Sequence, residues 1–337
     1  MNFGEIKSII LFGGGQLFSE SALKLIGKKL EVFIVTSERH SKEMVKADGK
    51  TIALLEFLQK NKLDFIISKD INTDQKVIKK IGENTLGISI SAAWVFKQSF
   101  ISLFKGRLVN LHGANLPRDR GGGGASWRVM RNVRHDGCVI HILDPGIDTG
   151  VILKRIEYTY PDSCRIPREY EGFSIQKVRL LMDEFIDNIV SKKDFAPVQQ
   201  DENLSTYWPR LYTDAHAYID WSWRLSDIER FACAFDDHYS GAITFINGMR
   251  VRLKKCSSTA KDGVFHPFQA GLVYRIIADS IFIATENGGL IVRSVTEDNG
   301  ENAANKIKIG DRFYSPIKFL EEAKQFRANY TPEGLKR

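Results

Sequence analysis

The sequence predicts an α/β fold: a mostly parallel, Rossmann-like sheet with flanking helices, followed by a smaller, mostly β domain. Over the first 160 residues, β-branched or aromatic runs alternate with stretches that carry apolar residues at helical spacing. This alternation is typical of a parallel sheet with crossover helices. Near residue 195 the chain becomes polar and irregular, and short strand-like runs separated by turn signals follow.

The elements of the first part follow from this alternation. The predicted strands are residues 8–12, 31–37, 64–69, 86–91 and 107–112. The predicted helices are residues 19–29, 50–61 and 95–104, and after two further strands a long helix over 174–193. We therefore place a first domain at residues 1–195 and a linker at 196–218.

The second domain is predicted at residues 219–325, with a tail at 326–337. Ser226 followed by Glu229 has the spacing of a capping box and predicts a helix start. Asn247-Gly248 between two strand-like runs is a strong hairpin signal. The region reads as mostly β with one leading helix.

Composition excludes several classes. The chain has 337 residues, 43% hydrophobic and 26% charged, which suits two globular domains. No run approaches the roughly 20 apolar residues of a membrane span, and the N-terminus lacks the pattern of a secretory signal. The scattered cysteines form no CxxC and no ligand cluster with histidine, so we expect reduced thiols, no metal site and a cytoplasmic location. They are Cys138, Cys164, Cys233 and Cys256.

The formal net charge of +7 arises entirely in the first 200 residues, which hold 30 Lys and Arg against 23 Asp and Glu. Residues 201–337 are balanced, with 18 of each sign. A nucleic-acid binder usually concentrates its cations on a patch or stripe. A mild excess can equally serve a small anionic substrate.

Gly13, Gly14 and Gly15 follow the first predicted strand, but the GxGxxG pattern of a dinucleotide site is absent. A tight bend explains these glycines, and a contribution of Gly13 to a substrate pocket is the alternative.

Two polar side chains lie at the end of the strand 107–112. Asn110 and His112 point the same way because side chains alternate along a strand. In an open parallel sheet, ligands bind outside the carboxyl ends of the strands. Asp148, in the turn 144-DPGIDTG-150, is a carboxylate that could orient an imidazole. Taken singly, each residue could instead cap a strand or a turn.

Together these residues resemble a known pattern. NLHGANLPRDRG (110–121) followed by CVIHILDPGIDTGVIL (138–153) is similar to the folate-dependent formyltransferase family. Its members include glycinamide ribonucleotide, methionyl-tRNA and nucleotide-sugar N-formyltransferases. The resemblance covers roughly residues 8–190. YIDWSW, a helix and a hairpin around INGMRVRLKK resemble the barrel-like second domain of the methionyl-tRNA enzyme and several sugar enzymes.

The resemblance implies 10-formyltetrahydrofolate as donor, an amine as acceptor, and three catalytic residues. Asn110 would donate its amide to the formyl oxygen, where negative charge develops. His112 would take the proton of the amine or, as imidazolium, stabilise that oxygen; the sequence leaves both open. Asp148 would orient His112 and raise its pKa.

The resemblance also places the pterin ring of the donor between one segment and one turn. The expected contacts are Ala92, Ala93, Trp94, Val95, Phe96, Ile101, Asp144, Pro145, Gly146 and Ile147. For Trp94 and Phe96, simple core packing is the alternative.

The four glycines 121–124 depart from the family pattern, in a loop that the resemblance places beside the acceptor. Arg118 and Arg120 precede them and could meet a phosphate or diphosphate, with Gly121 and Gly122 offering backbone N–H groups. A tight entry into a helix with solvated arginines explains the stretch equally well.

Among acceptors, a nucleotide-linked amino sugar fits best. A methionyl-tRNA enzyme must grip a long polyanion, yet the second domain is balanced in charge and residues 37–50 carry no dense Lys/Arg insertion. A glycinamide ribonucleotide enzyme normally lacks a second domain of this size. A silent binding module is the non-enzyme alternative. The second domain could contact the acceptor, form a homodimer interface, or stabilise the first domain.

Overall fold

The computed structural model of the chain describes residues 1–336 and confirms the predicted fold class. Arg337, the last residue of the predicted tail 326–337, lies outside the described residues. The first part forms a mostly parallel sheet with helices, and the second part forms a separate antiparallel sheet.

The strands of the first part are β1 (Ser8–Gly13), β2 (Glu31–Thr36), β3 (Met44–Ala47), β4 (Lys50–Ala53), β5 (Asp64–Ile67), β6 (Thr85–Ile90), β7 (Leu108–His112), β8 (His135–Ile142) and β9 (Ile152–Thr159). The helices are α1 (Gln16–Gly27), α2 (Glu38–Ser41), α3 (Leu54–Lys60), α4 (Gln75–Ile78), α5 (Gln98–Leu103), α6 (Gly124–Met130) and α7 (Pro167–Val190). The main sheet has the order β5-β2-β1-β6-β7-β8-β9. It is parallel from β5 to β7, whereas β8 and β9 run antiparallel to their neighbours.

Both faces of this sheet are buried, as expected of parallel strands covered by helices. In β1, Ile9 and Leu11 belong to one apolar cluster, and Ile10 and Phe12 belong to the other. The ring of Phe12 contacts Phe96, Phe100 and Phe104 edge-on. Strand β7 lies in the same two layers, with Leu108 in one apolar cluster and Val109 and Leu111 in the other.

All four helices predicted for the first part have other bounds: 19–29 is Gln16–Gly27 and 95–104 is Gln98–Leu103, and the remaining two differ more. Residues 50–61 do not form one helix, because 44–53 make the hairpin β3–β4 and α3 begins only at Leu54. The Asp48-Gly49 pair adopts the positive φ values, 50° and 74°, of a tight hairpin turn. The helix predicted at 174–193 begins at Pro167, a residue well suited to the first turn of a helix.

The second part contains β10 (Ala242–Ile246), β11 (Met249–Thr259), β12 (Val273–Ile277), β13 (Ser280–Thr285), β14 (Gly288–Glu297), β15 (Phe313–Tyr314), β16 (Asn329–Thr331) and β17 (Gly334–Lys336). Its helices are α8 (Thr213–His216), α9 (Leu225–Ala234) and α10 (Ile317–Gln325). The sheet has the order β12-β13-β14-β11-β10-β15. A bridge between Leu272 and Arg312 joins its two ends and gives the barrel-like form.

The expected hairpin at Asn247-Gly248 joins β10 to β11. The capping box was wrong: α9 begins at Leu225, so Ser226 lies inside the helix, and Glu229 pairs with Arg165. The competing ion pair takes the carboxylate that the capping box would need.

The two parts share one apolar core, which contains buried residues of both sheets. Helix α6 packs against α9, and the Ser126 hydroxyl donates to the carbonyl oxygen of Ala234 at 2.7 Å. Within 196–218, Thr206 and Trp208 bond through their backbones to Pro117 and Arg120. In residues 1–336, no helix combines the length and the apolar character that crossing a bilayer requires.

Candidate active site

Asn110, His112 and Asp148 line one cavity of about 940 Å³. Strand β7 supplies the first two, and the turn between β8 and β9 folds back to supply the third. The His112 Nδ1 atom lies 3.6 Å from the Asp148 Oδ1 atom. The structure therefore brings together three side chains that are up to 38 positions apart in the chain.

Both ring nitrogens of His112 face oxygen acceptors. Nε2 donates to the carbonyl oxygen of Asp119 at 2.7 Å, and Nδ1 faces Asp148. In the neutral ring, this leaves the lone pair on Nδ1. Burial lowers the pKa of His112, and the Asp148 carboxylate and the Asp119 carbonyl act in the opposite direction. A proton that arrives at Nδ1 would meet a carboxylate at once.

Asp148 is held as an anion. Burial opposes its charge, but the nearby His141 and His112 and the backbone N–H of Gly121 hold its pKa down at about 2. The Gly121 N–H donates to Asp148 Oδ2 at 2.8 Å. The residue itself adopts a left-handed φ of 54°, an uncommon backbone state for a non-glycine residue. Asp148 is thus both a charge and a fixed point of the turn.

His141 is a member of the site that the sequence analysis missed. It is fully buried on β8 directly opposite Asn110. Its Nδ1 donates to the carbonyl oxygen of Ile142 at 2.9 Å, and its Nε2 lies 3.2 Å from the Asn110 amide nitrogen and 3.5 Å from Asp148 Oδ1. The signal was present: a lone histidine in the apolar run CVIHIL.

The glycine loop 121–124 is covered by residues 207–210 of the predicted linker. A Cβ atom on Gly121 would lie 2.5 Å from the ring of Tyr207, and one on Gly123 would lie 2.7 Å from Cβ of Trp208. A Cβ on Gly122 would approach Nε of Arg210 to 3.1 Å. Close packing therefore requires Gly121 and Gly123, whereas a side chain at Gly122 would need only a small shift of Arg210; Gly121 and Gly122 also line the cavity.

Three of the residues expected to bind the acceptor are corrected. The Arg118 side chain is exposed and does not line the cavity. Arg120 lines it, but its guanidinium already binds Glu202 at 2.6 Å and Gln200 at 2.9 Å. Gly13 lines neither cavity; its Cβ would collide with the Ile90 carbonyl oxygen at 1.7 Å, so a tight bend explains it.

Most residues expected to contact the donor line this cavity. They are Ala92, Trp94, Val95, Phe96, Asp144, Pro145, Gly146 and Ile147. Ala93 lines the neighbouring cavity instead, and Ile101 is a correction, because its side chain is buried among apolar residues of α5 and the sheet. Trp94 and Phe96 are buried in that core, as the alternative expected, and also line the cavity; their contact with the donor stays a prediction.

The part of the cavity expected to hold the donor is lined by two exposed apolar side chains and by a hydrogen-bonded turn. Val95 is 80% exposed and Ile147 58% exposed, so two apolar side chains stand open at the cavity. The Asp144 carboxylate accepts from Gly146 N–H and from the Thr149 hydroxyl, which fixes the turn that carries Ile147. Such a slot, with apolar walls and backbone groups at its edge, fits a flat heterocycle.

Comparison with known proteins matches both parts of the chain. Residues 6–159 match the formyl transferase model, and residues 212–307 match that of the formyl transferase C-terminal domain. The chain belongs to the folate-dependent formyltransferase family.

Curated relatives of this formyltransferase include the methionyl-tRNA formyltransferase of Geobacter sulfurreducens. It is 21% identical over 295 residues, covering 85% of this chain and 88% of the relative. The methionyl-tRNA formyltransferase of Clostridium novyi is 24% identical over 291 residues, covering 85% and 91%.

Solved structures show the same fold. An N-formyltransferase from Helicobacter canadensis, in complex with folinic acid and dTDP-3-aminofucose, has a TM-score of 0.65 and 17% identity, covering 85% of this chain and 98% of its own. A 4-N formyltransferase from Francisella tularensis has a TM-score of 0.58 and 17% identity, covering 73% and 96%.

Proposed function

We propose that this formyltransferase moves a formyl group from 10-formyltetrahydrofolate to the amine of a nucleotide-linked amino sugar. The observation that carries the proposal is the convergence of Asn110, His112 and Asp148 on one cavity. Family membership makes the chain an enzyme, and the complete set of three side chains speaks against a silent binding module.

The three side chains have separate roles in this proposal. The Asn110 amide, held by His141, donates to the formyl oxygen and stabilises the negative charge that develops there. Nδ1 of His112 takes the proton of the attacking amine, since burial favours the neutral ring. Asp148 stabilises the imidazolium that results. That proton passes to the leaving donor nitrogen when its bond to the formyl carbon breaks, so that tetrahydrofolate is released and the ring is neutral again.

Bound 10-formyltetrahydrofolate would supply the formyl group. Val95 and Ile147 would cover the faces of its pterin ring, and the backbone groups of the turn 144–147 would bind the ring edge. The solved relative from Helicobacter canadensis holds a folate derivative and an amino-sugar nucleotide, which supports both the donor and the acceptor class.

Methionyl-tRNA is the second candidate acceptor. The names of the curated relatives favour it, at 21% and 24% identity. The charge balance of residues 201–337 does not favour it, because a polyanion needs an extended basic track.

A panel of acceptors tests the proposal. The enzyme is given 10-formyltetrahydrofolate with amino-sugar nucleotides that differ in sugar and base, and in parallel with charged initiator tRNA; mass spectrometry follows the gain of one formyl group. We expect formylation of an amino-sugar nucleotide and none of the tRNA. Formylation of the tRNA alone would replace the proposed acceptor by the second candidate.

A further inference from the structure

A second cavity, of about 1060 Å³, adjoins the first. It lies between the loop after β6, the interdomain segment 207–211, α10 and the chain that follows α10. Gly122, Tyr207 and Arg210 line both cavities. A molecule whose reacting amine lies near His112 could therefore extend past Gly122 into this space.

The second cavity is cationic. Its charged lining residues are Arg39, Arg210, Lys324 and Arg327, and no Asp or Glu of the described residues lines it. Its aromatic lining includes Trp127, Tyr207, Trp223, Phe231, Phe326 and Tyr330. Such a lining suits a ligand that joins a compact anion to a flat ring.

Two of these cations, Arg39 and Arg210, lie against the same tyrosine ring, and neither forms an ion pair with a described carboxylate. The guanidinium carbon of Arg210 lies 4.9 Å from the centre of the Tyr330 ring, and that of Arg39 lies 5.9 Å from it. Within residues 1–336, no Asp or Glu oxygen is within 4.0 Å of either guanidinium. Glu43 acts on both from farther away, and burial raises the pKa of its carboxyl.

Burial and then the charge of Arg210 lower the pKa of the Arg39 guanidinium. Arg39 is half-buried, its Nε has no hydrogen-bond partner among the described residues, and the charge of Arg210 disfavours its own. Gly122 keeps room for the Arg210 side chain, since a Cβ there would lie 3.1 Å from Nε. A bound anion would relieve the repulsion and would satisfy donors that the protein leaves unpaired.

We propose that Arg39 and Arg210 bind the diphosphate of the acceptor, with its base among the aromatic side chains of the second cavity. This inference rests on the proposed function for the position of the amine and names the residues that bind the diphosphate. The cations of this cavity are four and lie around one space, with no extended basic track, which suits a nucleoside diphosphate better than a polynucleotide.

Binding of uridine diphosphate and thymidine diphosphate, measured by calorimetry without donor, tests the site. We expect at least one to bind the wild type, and Arg210→Gln to weaken it about ten- to a hundredfold, as expected for one charge-assisted contact. Arg39→Gln should act in the same direction. Arg293→Gln is the matched control, because Arg293 is exposed on β14 and bonds only Ser257 among the described residues.

Two further probes, 5-formyltetrahydrofolate and an RNA minihelix, test whether the cations bind the donor or a tRNA instead of a nucleoside diphosphate. If Arg210→Gln weakens 5-formyltetrahydrofolate and leaves the diphosphates unchanged, the cations serve the donor and the inference is overturned. The same holds if only an RNA minihelix ending in CCA loses affinity, or if neither diphosphate binds the wild type.

Failure of this site and failure of the proposed function give different results. Diphosphate binding that depends on Arg210, together with no formylation of any amino-sugar nucleotide, leaves the site standing and removes the proposed acceptor. Formylation with an unchanged KM in Arg210→Gln, and unchanged diphosphate affinity, removes the site alone.

Discussion

At His112, burial and two oxygen neighbours act on the proton equilibrium in opposite directions. Burial lowers the pKa of the ring, and the Asp148 carboxylate and the Asp119 carbonyl oppose it. In the proposed reaction, the ring would be neutral when the amine arrives and would be stabilised by Asp148 when it becomes charged. A general base needs both properties.

These opposing effects predict how the His112 ring titrates. In the free enzyme, the midpoint of the His112 ring resonances, followed by NMR, should lie below 6.5. In Asp148→Asn it should fall further, because the opposing negative charge is gone while burial remains. A midpoint above 6.5, or one that does not move in Asp148→Asn, would show that the carboxylate has no part in setting the charge of the ring.

Removal of the imidazole should affect chemistry rather than binding. His112→Ala should lower kcat by about 10²–10⁴, the usual contribution of a general base, with the KM values little changed. His135→Ala is the matched control, since His135 is an exposed histidine on β8 that bonds Thr159. Steady-state kinetics of both variants measure the effect. Activity of His112→Ala near that of the wild type would refute the role of His112 as general base.

At the scale of elements, the glycine loop 121–124 and the segment 207–210 act as one unit. Gly121 donates its N–H to Asp148 while its missing side chain leaves space for the Tyr207 ring. Arg120, paired with Glu202, anchors the segment from the other side. The loop thus links the catalytic carboxylate proposed here to the chain that leads to the second domain.

Two glycines of this loop give a matched pair. Both have positive φ, 87° at Gly121 and 65° at Gly124, but a Cβ at Gly124 has no neighbour within 4 Å. Gly124→Ala should therefore cost only the backbone strain, about 1–3 kcal/mol. Gly121→Ala should cost more and should also lower kcat, because the N–H bond to Asp148 shifts. The explanation would be contradicted if Gly121→Ala lowered Tm and kcat by no more than Gly124→Ala does.

The sequence predicted the elements whose signals are local. The strands around 8–12, 31–37 and 107–112 were found from their composition, and the grouping of Asn110 with His112 followed from strand periodicity. The approach of Asp148 to His112 rested on resemblance, since a turn that folds back leaves no periodic trace.

Partners across the chain could not be predicted. Arg120 was expected to meet a phosphate, but Glu202, 82 positions away, binds it instead. His141 was missed because its role depends on the antiparallel register that places it opposite Asn110. Cation pairs such as Arg39 and Arg210 likewise emerge only when the domains are assembled.

At the scale of the whole molecule, the two parts behave as one folded body. They share a continuous apolar core, and α6 packs on α9. Interfaces between independent domains are usually more polar than this shared apolar core. The proposed acceptor site needs that rigidity, because it takes residues from both parts.

Calorimetric unfolding should therefore show one cooperative transition. Breaking the contact between α6 and α9 exposes the same core that stabilises each sheet, so neither part should unfold alone. Two well-separated transitions in differential scanning calorimetry would show that the parts fold independently.

The most direct test of the site as a whole is single-turnover formyl transfer in Asn110→Ala. Asn110 carries no charge, so its loss leaves the electrostatics of His112 and Asp148 in place and removes one donor to the formyl oxygen. At saturating donor and acceptor, the account predicts a rate constant about 10²–10³ lower than that of the wild type. A rate constant within about twofold of the wild type, with both ligands bound, would contradict the claim that this cavity is where the formyl group is transferred.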